Sequence, residues 1–271
     1  MDGSKERTSL VKANVSPAEW AARVELAALY RLVEHKGWAD DVFNHCTMRV
    51  PGEERMFLMK PHDLLYTEVT ASNLAKVNMD APLEKRATVN KPGFILHSGV
   101  LRARPDMNCA IHIHTDVGIA ISGLKSGLRM LSQSALRLYG RIAYHDFEGI
   151  TETGAESERI GRELADKQAL ILRNHGLLTV ATSARGAYNL MRYLYTAGKT
   201  QLMMEATGQP LVEISRAVCE HTAAQQAQSV EGAEAAMMAE AGAVVVEGEE
   251  QVQQAADVVY AAAEEPTQAE A

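Results

Sequence analysis

Apolar positions change period along the chain. Ala22, Leu26, Leu29, Tyr30 and Val33 recur at steps of three and four, which predicts an amphipathic helix. Ser16-Pro17-Ala18-Glu19 opens that helix as a capping box: hydroxyl and carboxylate would bond otherwise unpaired N–H groups, and Pro17 has no N–H to satisfy. Gly37 closes it, and residues 1–15, polar and without a stripe, read as a loose segment. Beyond Gly37 short apolar runs broken by turn residues predict strands. They lie at Val42–Val50, Met56–Met59, Leu74–Met79, Phe94–Leu96, Cys109–His114, Ala169–Arg173 and Leu177–Val180. Helices are predicted at Ser98–Ala103, halted because the residue before Pro105 resists the α conformation, at Glu156–Asp166, and from about Ala184 to Ala206. This mixture is an α/β domain with a central sheet and helices on its faces.

Charge divides the 271 residues unevenly. The formal net charge of −8 belongs to residues 231–271, which hold ten acids and no Lys or Arg; the 230 residues before them hold 25 acids and 27 bases. Thirteen alanines and one-sided charge make that stretch an expected disordered tail, so residues 16–230 are the expected folded domain. No run of eighteen apolar residues exists, the first residues contain no apolar signal core, and the three cysteines have no CxxC spacing. The expectation is a cytoplasmic protein with no membrane span and no nucleic-acid partner.

Of nine histidines, two share a spacing with chemical content. In Ile111-His112-Ile113-His114 a strand would turn both isoleucines to one face and both imidazoles to the other, with their roots about 7 Å apart. Two such rings can lean onto one metal ion. His175, after the apolar run Ala169-Leu170-Ile171-Leu172 and before Gly176, is either the third ligand at a strand end or a turn histidine.

Several motifs together resemble the class II aldolase/adducin family. They are His97-Ser98, Arg104-Pro105-Asp106, His112-x-His114-Thr115 and Arg173-Asn174-His175-Gly176. Asn44-His45-Cys46-Thr47-Met48-Arg49, Glu68 to Leu74 and Tyr144-His145-Asp146-Phe147-Glu148-Gly149 resemble its adducin-like branch. The resemblance spans about Ser16 to Glu213. It implies a three-layer α/β/α sandwich, a homo-oligomer (a tetramer by preference) with sites near subunit interfaces, and a divalent metal on His112, His114 and His175. Zinc is the expected ion, with iron or manganese as alternatives. The resemblance further implies substrate contacts at His45, Thr47, Arg49 and Ser72, and supporting roles for His97 and Asn174.

The aldolases of this family place a catalytic Glu four residues before the histidine that matches His97; here that position is Gly93, and no acid lies between Glu84 and Asp106. The glycines of the family's phosphate-binding turns are also replaced, at Asn44 and at Lys60-Pro61-His62-Asp63, so a phosphorylated sugar is not expected. His145, Glu148 and Tyr144 are the remaining candidates for proton transfer. Three functions follow in order: a metal-dependent lyase cleaving or decarboxylating a small polar carbonyl or carboxylate compound, a non-haem iron oxygenase on the same three histidines, and a non-catalytic adducin-like binding protein.

Overall fold

The computed structural model describes residues 3–81, 88–149 and 154–226; the acidic stretch 231–271, expected to be disordered, lies outside them. Helix α2 (Pro17–His35) begins where the capping box placed it, with the Ser16 hydroxyl accepting from the Glu19 N–H at 3.0 Å. That bond stabilises the helix by about 1 kcal/mol. The Glu19 carboxylate turns instead to buried Arg23 at 2.9 Å and half-buried Lys76 at 2.8 Å, because charge-assisted bonds to two cations are stronger than one to a terminal N–H. Residues read as loose form helix α1 (Gly3–Ala13), whose Thr8 hydroxyl reaches Ser72 at 3.2 Å.

Seven strands make one sheet: β1 (His45–Val50), β2 (Glu53–Met59), β3 (Ala75–Asn78), β4 (Cys109–Ile113), β5 (Ile142–His145), β6 (Ala169–Leu172) and β7 (Gly176–Ala181). Their order is β3-β2-β1-β4-β7-β6-β5, with β5 and β6 parallel and every other pair antiparallel. Ile111 and Ile113 are fully buried in the larger core, between the sheet and helices α2 and α7 (Ala184–Glu205). Each such side chain contributes about 1.5–3 kcal/mol relative to exposure. Ala110, Leu170, Leu172 and Val180 face the other way, onto α3 (Lys91–Ala103) and α6 (Gly154–Leu164). Helices on both faces of the sheet make the expected α/β/α sandwich.

One predicted strand is a helix. Phe94–Leu96 is not a strand but part of α3, which starts at Lys91 because the Asn90 side chain accepts from the Gly93 N–H at 2.8 Å and Pro92 suits the first turn. A three-residue apolar run carries no period, so the cap decides. Tyr144 and His145 end β5, a strand absent from the predicted set, and Asp116–Gly123 and Gln133–Leu136 form helices α4, capped by Thr115, and α5.

Antiparallel pairing brings the start of β1, the end of β4 and the start of β7 to one end of the sheet; the ends of β6 and β5 join them there. His45, His112, His175 and His145 all stand at that end.

Candidate metal centre

His112 and His114 lie two residues apart at the end of β4, on the face opposite Ile111 and Ile113. The His114 Nε2 is 2.8 Å from the His112 Nε2 and 2.9 Å from the His175 Nε2. Among the described residues, this trio is the one His/Cys/Asp/Glu group drawn together closely enough to hold an ion. His175 reaches it from the tight turn between β6 and β7. Asn174 there adopts a left-handed conformation (φ 55°), and the His175 N–H donates to the Leu172 carbonyl at 3.1 Å. Gly176 is required next to it: a Cβ would come within 2.5 Å of the Ile113 carbonyl oxygen and 3.0 Å of the His114 ring.

The outer nitrogens settle the tautomers. The His112 Nδ1 sits 3.0 Å from the Leu177 carbonyl, which only accepts, so Nδ1 carries the proton. The His114 Nδ1 faces the Asp40 carboxylate at 3.4 Å and is protonated for the same reason. Both Nε2 atoms therefore point bare lone pairs at each other across 2.8 Å, an arrangement that repels unless a cation lies between them. Burial and mutual repulsion hold His112 well below the ordinary histidine range and take His175 down to about 4, so the imidazoles are unprotonated near pH 7, as ligands must be. The residues present fit a divalent metal.

Asp40 belongs to a loop that the sequence left unassigned. Its shape depends on left-handed Asp41 and Asn44 and on Lys60, whose buried ammonium donates to the carbonyls of Val42 at 2.6 Å and Leu64 at 2.8 Å. Burial brings that ammonium down to about 8. Apart from the Asp-Asp turn, nothing in the sequence marks Asp40 as the partner of a ligand.

The three candidates for proton transfer separate. Tyr144 accepts from the Leu128 N–H at 3.0 Å while the Arg173 guanidinium lies 4.3 Å over its ring, and Glu148 is held by Arg159. His145 is different. Its Nδ1 donates to Glu163 at 2.6 Å, and its buried Nε2 has no hydrogen-bond partner. That ring lines a small cavity, about 10 Å³, together with His175, Phe147 and Glu156. Glu163 was not singled out in the sequence, although its seven-residue spacing from Glu156 places both on one face of α6.

The expected substrate contacts also divide. His45 stands directly across from His112 in the β1–β4 pairing, and Thr47 shares a 2.7 Å hydrogen bond with the Nδ1 of His97. His97 is buried and drops to about 3; its Nε2 has no partner. Ser72 bonds to Thr8 and Thr70 in the turn before β3. Arg49 lies at the far end of β1, bound to the carbonyls of Met107 at 2.7 Å, Glu54 at 2.9 Å, Arg104 at 3.3 Å and Leu101.

Comparison with known proteins identifies the family. Residues 24–202 match the family described as Class II Aldolase and Adducin N-terminal domain. A "Putative aldolase class 2 protein" of Caulobacter vibrioides is 43% identical over 209 residues, 76% of this chain and 81% of that protein. Alpha-adducin of Rattus norvegicus is 44% identical over 185 residues, 66% of this chain but 25% of adducin. Among solved structures, L-fuculose 1-phosphate aldolase from Glaciozyma antarctica superposes with a TM-score of 0.69 at 26% identity, covering 91% of this chain and 89% of that one. The chain belongs to the class II aldolase/adducin family.

Proposed function

As a member of that family with a complete histidine trio, this chain is one that we propose to be a metal-dependent lyase, acting by aldol cleavage or decarboxylation on a small polar carbonyl or carboxylate compound. The observation that carries the reading is the convergence of three imidazole Nε2 atoms, with the outer nitrogens of His112 and His114 fixed by Leu177 and Asp40. A divalent ion, zinc by preference, supplies Lewis acidity when bound, drawing electron density from a carbonyl or hydroxyl oxygen so that negative charge can form beside it. His112, His114 and His175 would hold it. An active centre near subunit interfaces in a homotetramer belongs to the same proposal; exposed Phe147, whose ring is 6.3 Å from that of His175, is an apolar surface suited to such a contact.

Cleavage leaves a carbanion beside a carbonyl, and a proton has to be moved. His145 is the proposed carrier: Glu163 holds its Nδ1, and its Nε2, 3.9 Å from the Glu156 carboxylate, borders the cavity shared with His175. Neither Glu148 nor Tyr144 is as free to act, because Arg159 and the Leu128 N–H engage them. The similarity to alpha-adducin favours a second reading, a binding domain without turnover.

The test is a screen of three- to six-carbon hydroxy-carbonyl compounds and hydroxy or oxo acids with zinc-loaded protein. Carbonyl product or CO₂ is monitored alongside dissolved oxygen. Release that chelation abolishes, and that His145→Gln lowers by about 100-fold or more, is expected. Oxygen consumption with iron-loaded protein would overturn the lyase in favour of an oxygenase; no turnover with any metal would favour the binding domain.

A further inference from the structure

Lys60 follows β2 and is fully buried. The carboxylates of Asp41 and Asp63 act on its ammonium through space; its direct partners are main-chain carbonyls. Val42 lies at 2.6 Å and Leu64 at 2.8 Å, with Pro61 and His62 at 3.4 Å. A charge taken out of water needs such partners, and these come from two separate loops, so the ammonium ties one to the other. The Val42 loop is a tight turn closed by the Phe43 N–H, which donates to the Asp40 carbonyl at 2.8 Å, with Asp41 and Asn44 left-handed at φ 50° and 63°. Residues with a side chain rarely hold that conformation unaided. The turn begins at Asp40, whose carboxylate lies 3.4 Å from the His114 Nδ1.

We propose that Lys60 is a positioning residue of the metal centre: its positive charge clasps the 40–44 turn through the Val42 carbonyl and so keeps the Asp40 carboxylate on His114. The inference rests on the metal reading above and gives that site an alkaline limit. Burial brings the ammonium down to about 8, so it becomes a neutral amine where most lysines stay charged. An amine keeps two N–H groups for four carbonyls and no charge to hold them. The groups packed around it do not take over. Burial pushes the Cys46 thiol and the Tyr30 and Tyr66 hydroxyls up and the His45 imidazole down, so all four are neutral there. The His62 ring is bonded to Asn90, which leaves Asp41 and Asp63 as the charges that face Lys60. Above pH 8 the clasp loosens, Asp40 releases His114, and the hold on zinc weakens. That is the reverse of proton competition at imidazoles, which weakens metal binding as pH falls.

Zinc affinity, measured by chelator competition at pH 7 and pH 9.5 in the parent and in Lys60→Met, is the test. At pH 7 the variant should bind zinc about tenfold more weakly, and by pH 9.5 the two should agree within about twofold. Equal affinity at pH 7 would overturn the proposal. So would a deficit of the same size at both pH values, because it would assign the effect to the lost stem rather than to the charge. Asp40→Ala, at an exposed position and with Lys60 intact, keeps the test decisive if Lys60→Met does not fold. Its deficit relative to the parent should likewise shrink between pH 7 and pH 9.5, and a constant deficit would overturn the coupling. A parent that binds no zinc at pH 7 would strike the metal reading itself, and this inference with it.

Discussion

The two ends of strand β1 treat polar side chains in opposite ways. At its far end, Arg49 commits four of its five N–H donors to backbone carbonyls. At its near end, the buried His45 bonds to nothing and lies against the backbone of Gly93. The same strand therefore ends in a structural tie on one side and an unfinished hydrogen-bonding group on the other. Family resemblance grouped Arg49 with His45 as substrate contacts; the hydrogen-bond inventory separates them. A polar residue is available for function when its partners are missing, not because its type suits the chemistry.

That contrast can be broken from either end. Arg49→Ala should produce the larger loss, about 3 kcal/mol of folding stability in urea unfolding, because four carbonyls lose a charged donor. Its metal content should stay at the parent level; a loss of metal without a loss of stability would move Arg49 to the site. Asp40→Ala should leave stability nearly unchanged while weakening zinc binding by about 10–100-fold, measured by chelator competition, because the His114 tautomer is no longer fixed. An unchanged zinc affinity would mean that the carboxylate at 3.4 Å does not orient the ring.

The third effect shows only as pH falls and concerns His97, the buried neighbour of His45. Its folded form takes a proton only near pH 3, whereas the unfolded chain does so near 6.5. Between those values the unfolded state binds more protons, so stability present at pH 7 falls as pH drops through 6.5 toward 3. In metal-free protein, His97→Gln should flatten that fall by up to one proton, about 1.4 kcal/mol per pH unit, in urea midpoints taken from pH 7 to pH 4. A slope identical to that of the parent would show that His97 is protonated without penalty.

Long periodic features were legible from the chain alone. The capped helix at Ser16, the alternation of Ile111 and Ile113 with His112 and His114, and the long helix from Ala184 are each set by local repetition, and each stands where the pattern put it. Short runs misled: Phe94–Leu96 is apolar in any conformation, and only the Asn90 cap makes it helical. The trio could be proposed because HxH and a strand-end histidine are local signals. Asp40, Glu163 and the Gly93–His45 contact were illegible for the opposite reason. Each depends on a partner 18 to 74 residues away, across a sheet whose order no local pattern specifies.

The proposed chemistry depends first on the trio. Untagged protein, stripped with chelator, reloaded with zinc and passed through a desalting column, should carry one zinc per chain by elemental analysis. His112→Ala and His175→Ala, still folded by circular dichroism, should carry none. A folded His112→Ala or His175→Ala that retains a full equivalent, or a parent that takes up none, would contradict it.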